Sequence, residues 1–101
     1  MKIFLDDIRN PPNDSWVIIR SAEELINFYH KNHKDIKVLS LDHDLGDGIK
    51  TGYDFLLWLE EKTFHGEINL PDCIMVHSAN PVGRKNMIQK IRIIVERNKN
   101  V

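Results

Sequence analysis

The chain has 101 residues, of which 42% are hydrophobic and 29% are charged, and its formal net charge at pH 7 is −1. This length suits one domain with one core, and the composition argues against disorder. The longest apolar run, residues 55–59, is too short to cross a bilayer, and the acidic N-terminus excludes a signal peptide. We therefore expect a single cytoplasmic domain over residues 1–101, with no membrane partner and no strong general binding of nucleic acid.

The single cysteine, Cys73, cannot form an internal disulfide, and no Cys/His spacing fits a structural zinc site. Because Cys73 opens an apolar run, we expect it to be inert and packed in the interior. A reduced compartment is consistent with this cysteine usage.

Four short apolar runs predict β-strands. Each ends abruptly in polar residues, and they comprise residues 3–5, 16–19, 38–41 and 73–76. Such runs are typical of parallel strands covered by helices on both faces. The connection over residues 6–15 contains two prolines and is barely long enough for a parallel crossover, so the direction of the second strand stays open.

Three segments with N-cap signals predict helices. Ser21 and Thr51 each begin a capping pattern before an apolar stripe, and Asn80 is a favourable N-cap that is followed by Pro81. Strands and helices therefore alternate from the second strand onward. This order predicts an α/β fold with a largely parallel sheet.

Polar clusters directly follow three of the predicted strands. They comprise Asp6, Asp7 and Arg9; Asp42, His43 and Asp44; and His77, Ser78 and Asn80. In open α/β sheets the ligand crevice lies outside the carboxyl ends of the strands, so we expect these clusters to form one site. Carboxylates from adjacent strand ends make an oxygen-rich site that suits Mg²⁺ or Mn²⁺.

Two competing motifs fail on spacing or geometry. Residues 42–47 begin like a calcium-binding EF-hand loop, but Tyr53 stands where that loop needs glutamate. His77 and Ser78 make a poor nucleophilic pair, because neighbouring residues of an extended strand point to opposite faces.

Acidic and basic residues are unevenly distributed along the chain. Residues 42–61 hold six acids and one base, whereas residues 84–99 hold six bases and one acid. One interpretation is an acidic loop and a solvated helix face. The other is a cation-binding pocket beside a basic surface for a phosphate-bearing partner.

Four ordered motifs resemble the cyclic-phosphate-processing receiver-like domains, a divergent branch of the response-regulator receiver domains. The motifs are LDDIRNP at 5–11, SLDHDLG at 40–46, TGYD at 51–54 and HSANP at 77–81. The resemblance implies a small receiver-like (flavodoxin-like) three-layer fold of about four mainly parallel strands and three helices. The first helix and the last strand–helix unit of a full receiver are absent. It also implies a link with RNA repair.

The resemblance also implies roles for individual residues. Carried over from receivers, Asp6 and Asp7 would hold Mg²⁺, and Asp42 would be the central carboxylate, which binds metal and can be phosphorylated. Ser78 would contact a phosphoryl oxygen, and both Asp42 and Ser78 are among the expected catalytic residues. Asp44 completes the expected metal ligands.

The remaining expected site residues follow from their side-chain chemistry. Arg9 and Arg84 are expected to clamp phosphate oxygens with Asn80 nearby, because a guanidinium fits such oxygens bidentately. His77 or His43 is expected to act as general acid or base, and the sequence does not separate the two. We therefore expect a metal-dependent phosphoesterase acting on a phosphate-bearing small molecule or an RNA end. The alternative is a non-catalytic receiver-like module that accepts phosphate or binds a partner, and the oligomeric state stays open.

Overall fold

One parallel sheet and three helices make up residues 1–99, which the computed structural model describes. The strands are β1 (Lys2–Leu5), β2 (Trp16–Ile19), β3 (Val38–Leu41) and β4 (Cys73–Val76), and the helices are α1 (Ala22–Asn32), α2 (Gly52–Phe64) and α3 (Pro81–Lys99). All neighbouring strands pair in parallel, in the order β2-β1-β3-β4. The predicted α/β fold is confirmed, and β2, whose direction the sequence left open, runs parallel to β1.

Each helix begins at its predicted cap. The side chains of Ser21 and Asn80 each accept a hydrogen bond from the amide three residues further on, at 3.1 and 2.9 Å. Thr51 and Asp54 form a reciprocal capping box at the start of α2. Because the first amides of a helix have no partner within it, these caps determine where the chain turns from loop to helix.

All three helices pack on one face of the sheet, so residues 1–99 form two layers and not the expected three. The steps from β2 to β3 and from β3 to β4 run in the same direction across the sheet, and right-handed crossovers then place α1 and α2 on the same side. Helix α3 packs beside α2 and against β4. The only connection running the other way, from β1 to β2, holds no helix.

Alternate strand residues face the helices and form the core. These strand residues, together with the apolar stripes of the helices, include Ile3, Leu5, Leu39, Leu41, Leu25, Tyr29, Phe55, Leu59, Met87 and Ile94. On the helix-free face, Ile18 and Met75 are each 42% exposed. Since β4 is an edge strand, Cys73 is exposed, and our expectation that it is packed in the interior is wrong.

Helix α3 carries six of the fourteen lysines and arginines. Lys90 and Arg97 pair with Glu60 of α2 at 3.0 and 3.4 Å. The cations that line a groove on the exposed side of α3, with no carboxylate partner among residues 1–99, are Arg84, Lys85 and Arg92. No helix within residues 1–99 has the length and apolarity needed to cross a membrane.

Candidate functional site

The carboxyl ends of β1, β3 and β4 surround one open cleft. Its volume is about 530 Å³, which lies within the range of small-ligand pockets. The polar side chains that line it come from all three strand ends and from the loop after β3, and they are Asp7, Arg9, Asp42, Asp44, Asp47, Ser78 and Asn80. The three predicted clusters therefore meet at one edge of the sheet, as parallel strands require.

Asp6 lies beneath this cleft, and its carboxylate is saturated with hydrogen bonds. Oδ1 accepts the amides of Ile8 and Arg9 at 3.0 and 2.8 Å, and Oδ2 accepts Arg9 Nε at 2.9 Å and His77 Nε2 at 3.0 Å. A carboxylate offers about four lone-pair positions, and four donors fill them. Because its side chain is 0% exposed, Asp6 anchors the loop after β1 and does not line the cleft.

These donors hold the pKa of Asp6 below its ordinary value. Burial alone would raise this pKa, because it disfavours the charged form. The backbone hydrogen bonds from Arg9 and Ile8, the hydrogen bond from His77 and the charge of Arg9 together outweigh burial. Asp6 is therefore a fixed negative charge at neutral pH.

Arg9 bridges two carboxylates. Its Nε lies 2.9 Å from Asp6 Oδ2, and its Nη2 lies 3.3 Å from Asp42 Oδ2. Burial acts to lower the pKa of Arg9, but the two carboxylates outweigh it and raise the pKa. One potential metal-ligand atom from each of Asp6, Asp42 and His77 lies within 4.8 Å of the other two. The guanidinium of Arg9 thus lies beside these three atoms.

His77 forms a hydrogen-bonded chain between β3 and β1. Its Nδ1 is 2.7 Å from Ser40 Oγ, its Nε2 is 3.0 Å from Asp6 Oδ2, and its ring stacks on Phe4 with centroids 4.2 Å apart. An ionised carboxylate only accepts, so we assign the ring proton to Nε2, which leaves Nδ1 of the neutral ring to accept from the Ser40 hydroxyl. Both nitrogens are engaged, and the ring positions Asp6.

His43 lies beside the cleft at the start of α3. Its Nδ1 is 2.8 Å from Asp44 Oδ1, and hydrogen bonds from His43 and Asn80 lower the pKa of Asp44. Among residues 1–99, no group is hydrogen-bonded to His43 Nε2. Of the two candidate histidines, His43 is therefore the one with a free ring nitrogen.

Ser78 and Asn80 line the cleft, whereas Arg84 does not. Ser78 Oγ accepts the amide of Asn80 at 3.1 Å, which leaves the hydroxyl proton free for another acceptor. Besides capping α3, Asn80 donates from Nδ2 to Asp44 at 3.2 Å. Arg84 donates to the carbonyl of Val76 at 3.0 Å and lines the groove of α3, so the structure does not bring it to the cleft.

Two residues that support the site were not predicted from the sequence. Arg20, directly after β2, donates to the carbonyls of Asp6 and Arg9 at 3.1 and 2.7 Å and so fixes the loop after β1. Ser40, in β3, is hydrogen-bonded to the ring of His77 and holds it in place. A serine within an otherwise apolar run was the available signal for Ser40, whereas a lone arginine after a strand gave none.

Only some of the expected metal ligands have a carboxylate oxygen that is free to bind a cation. Asp6 has no free acceptor position. Asp42 Oδ1 accepts the amide of His43 at 2.8 Å, and Oδ2 faces Arg9. Asp7 lines the cleft and makes no hydrogen bond with its side chain among residues 1–99. The ligand atoms that these carboxylates offer are oxygens, which suits Mg²⁺ or Mn²⁺.

A parallel α/β sheet with paired aspartates after β1, Asp42 after β3 and a hydroxyl residue after β4 defines a receiver-like domain with an acidic cleft. Residues 1–93 match the family described as the cyclic-phosphate processing receiver domain, and the chain belongs to that family. The resemblance of its four motifs is thereby confirmed. Comparison with curated proteins and with solved structures gives no match.

Proposed function

We propose that this domain is a metal-dependent phosphoesterase that processes a terminal phosphate, with a 2′,3′-cyclic phosphate at an RNA end as its substrate. The family's link with cyclic-phosphate processing supports this proposal. The observation that carries it is the shared cleft of Asp7, Arg9, Asp42 and Ser78. We place the domain in the cytoplasm, where the exposed thiol of Cys73 stays reduced.

The proposed cofactor is Mg²⁺ or Mn²⁺, held by Asp7 and Asp42 with Asp44 at the same wall of the cleft. These cations are bound by one or two carboxylates and keep several waters, which the open cleft accommodates. When bound, such a cation neutralises phosphate charge and lowers the pKa of a coordinated water.

The side chains of the cleft have separate tasks in this proposal. Arg9 binds phosphate oxygens, because its side chain is 48% exposed and borders the cleft. The free hydroxyl proton of Ser78 is donated to a phosphoryl oxygen. His43 exchanges a proton through Nε2, while Asp44 orients the ring through Nδ1. His77 acts on the substrate only indirectly, by holding Asp6.

The groove on α3 supports the proposal that the rest of the substrate is a nucleotide strand. Asn80 lines the cleft and Pro81 lines the groove, so the two surfaces adjoin. Arg84, Lys85 and Arg92 place positive charge along the groove, which favours the phosphodiesters of a single strand. If a terminal phosphate binds in the cleft, the strand attached to it would lie beside these cations.

The test is incubation of the protein and Mg²⁺ with an oligonucleotide that ends in a 2′,3′-cyclic phosphate, followed by mass measurement of the end group. We expect the end to gain one water and become a monophosphate. Chelation of the metal should stop the reaction, and Asp42→Asn should slow it by at least about 100-fold. An unchanged end group with the wild-type protein would contradict the proposal.

The second candidate function is that of a phosphoacceptor module without turnover. The position of Asp42, which follows β3 and lines the same cleft as Ser78, favours it. Intact-mass measurement after incubation with acetyl phosphate and Mg²⁺ separates the two functions. Phosphate on Asp42, together with no turnover of the oligonucleotide, would establish the module and reject the phosphoesterase.

A further inference from the structure

We propose that Arg9 is an exchangeable counter-ion that couples the binding of a divalent cation in the cleft to the binding of phosphate. The inference rests on the proposed function, since it describes how the same cleft takes its two ligands. Its starting point is the bridge in which Arg9 lies 2.9 Å from Asp6 and 3.3 Å from Asp42.

Asp6 and Asp42 need a nearby cation when no ligand is bound. Their side chains are 0% and 7% exposed, and buried charges without a partner are strongly unfavourable. Among residues 1–99, Arg9 is the only residue that forms ion pairs with both carboxylates. The domain therefore neutralises its own acidic site with a guanidinium.

A divalent cation competes with Arg9 for Asp42. Asp42 Oδ1 already accepts the amide of His43, so Oδ2 is the oxygen with more room for a metal bond. Arg9 Nη2 contacts that same oxygen. Two positive groups at one carboxylate oxygen repel each other, so a metal that binds alone has to displace the guanidinium.

Phosphate gives Arg9 another anion to bind. The side chain of Arg9 is 48% exposed and borders the cleft, so a phosphate there can take its Nη atoms while Nε stays on Asp6. Asp42 is then left without its counter-ion, and a divalent cation replaces it. Each ligand therefore favours the other, and thermodynamic linkage requires the effect to be the same in both directions.

The loop that carries Arg9 stays in place during this exchange. Asp6 keeps the amides of Ile8 and Arg9 and the ring of His77 as donors, whichever way the guanidinium points. Arg20 also holds the carbonyls of Asp6 and Arg9. The movement is thus confined to the end of one side chain.

Isothermal titration calorimetry with Mg²⁺ and inorganic phosphate tests the coupling. We expect saturating phosphate to tighten Mg²⁺ binding to the wild-type protein at least about fivefold, and Mg²⁺ to tighten phosphate binding by the same factor. In Arg9→Gln, Mg²⁺ alone should bind more tightly than to the wild type, and the coupling should become smaller, because only the direct attraction between Mg²⁺ and phosphate remains. Lys31→Gln, at an exposed position of α1 outside the cleft, should behave as the wild type, and a blank titration corrects for Mg²⁺–phosphate association in solution.

Equal Mg²⁺ affinity with and without phosphate in the wild type would overturn the inference, as would the absence of Mg²⁺ binding under both conditions. This comparison needs no variant, so it can overturn the inference even if Arg9→Gln fails to fold. Weaker Mg²⁺ binding to folded Arg9→Gln would also overturn it. Coupled binding without turnover would reject only the proposed function, whereas turnover with independent binding would reject only the coupling.

Discussion

The residues of this site fall into two groups: those whose side chains line the cleft, and those that hold the lining residues in place. Asp6 belongs to the second group, because its four hydrogen bonds tie together the loop after β1 and the ring of His77. A receiver-type pattern alone would assign Asp6 to a metal. Its burial and its full set of donors indicate instead that Asp7 carries the free carboxylate at this strand end.

The lowered pKa of Asp6 predicts a loss of stability in acid. A group whose pKa is lower in the folded protein stabilises the fold above its unfolded pKa, which is about 3.9 for aspartate. That contribution is lost as the pH falls through the folded pKa. Urea unfolding from pH 7 downward should therefore show the free energy of unfolding decreasing below about pH 4.

Asp6→Asn is the matching variant, and it should lower the free energy of unfolding at pH 7 by about 3 kcal/mol, because a buried paired charge is removed. Its stability should also depend less on pH in the acid range. Asp47→Asn, at an exposed position of the same cleft, should change stability by less than about 0.5 kcal/mol. Identical acid profiles for the wild type and Asp6→Asn would show that another group causes the acid loss.

The two histidines are expected to respond differently to substitution. His43→Ala should keep the fold and reduce turnover of the cyclic-phosphate oligonucleotide by at least about 100-fold, because it removes the free ring nitrogen. His77→Ala should lower the melting temperature, since Asp6 loses a donor and Phe4 loses its stacked ring. Steady-state rates and thermal melting on both variants measure this difference. Full activity in His43→Ala would show that His43 takes no part in the chemistry.

At the scale of elements, two glycines let the loop after β3 lie close to the helices that follow it. A Cβ at Gly52 would stand 2.0 Å from the carbonyl oxygen of Asp42, and one at Gly83 would stand 2.5 Å from Cγ of His43. The Gly52 amide also donates to the His43 carbonyl at 3.0 Å. The N-terminus of α2 therefore fixes the backbone of the site, and the N-terminus of α3 holds the ring of His43 in place.

These contacts predict two distinct outcomes. Gly52→Ala meets a backbone atom that cannot move without shifting β3, so it should lower the free energy of unfolding by about 2 kcal/mol or more. Gly83→Ala meets only the His43 side chain, so it should reduce turnover more than it reduces stability. Urea unfolding and turnover of both variants provide the comparison, and a fully active Gly83→Ala would show that the ring position is unimportant.

Viewed as a whole molecule, the domain places its cleft next to the cationic groove of α3. If the substrate is a strand, the groove should affect only substrates that are long enough to reach it. The double variant Lys85→Gln/Arg92→Gln should therefore raise KM for an oligonucleotide with a cyclic phosphate end, and this effect should weaken at high salt. KM for a cyclic mononucleotide should not change. Equal effects on both substrates would indicate that the groove does not bind the strand.

Strand and helix positions followed from local patterns of the sequence. The apolar runs and the caps at Ser21, Thr51 and Asn80 predicted every element, because caps and periodicity depend on residues close together in the chain. The meeting of the acidic and histidine clusters also followed, since parallel strands bring their carboxyl ends to one edge. The family motifs, four short ordered segments, were readable for the same reason.

Only the tertiary structure decided which side of the sheet is covered and which side chains are free. The absence of a helix between β1 and β2 left one sheet face without a layer, a consequence of crossover handedness that local patterns do not report. The saturation of Asp6, the bridge of Arg9 to Asp42 and the engagement of both nitrogens of His77 depend on atoms from different strands. Hydrogen-bond partners far apart in the chain are set by three-dimensional packing, so the sequence alone named most of the residues that line the cleft but neither the residues Arg20 and Ser40 that support it nor the separate roles.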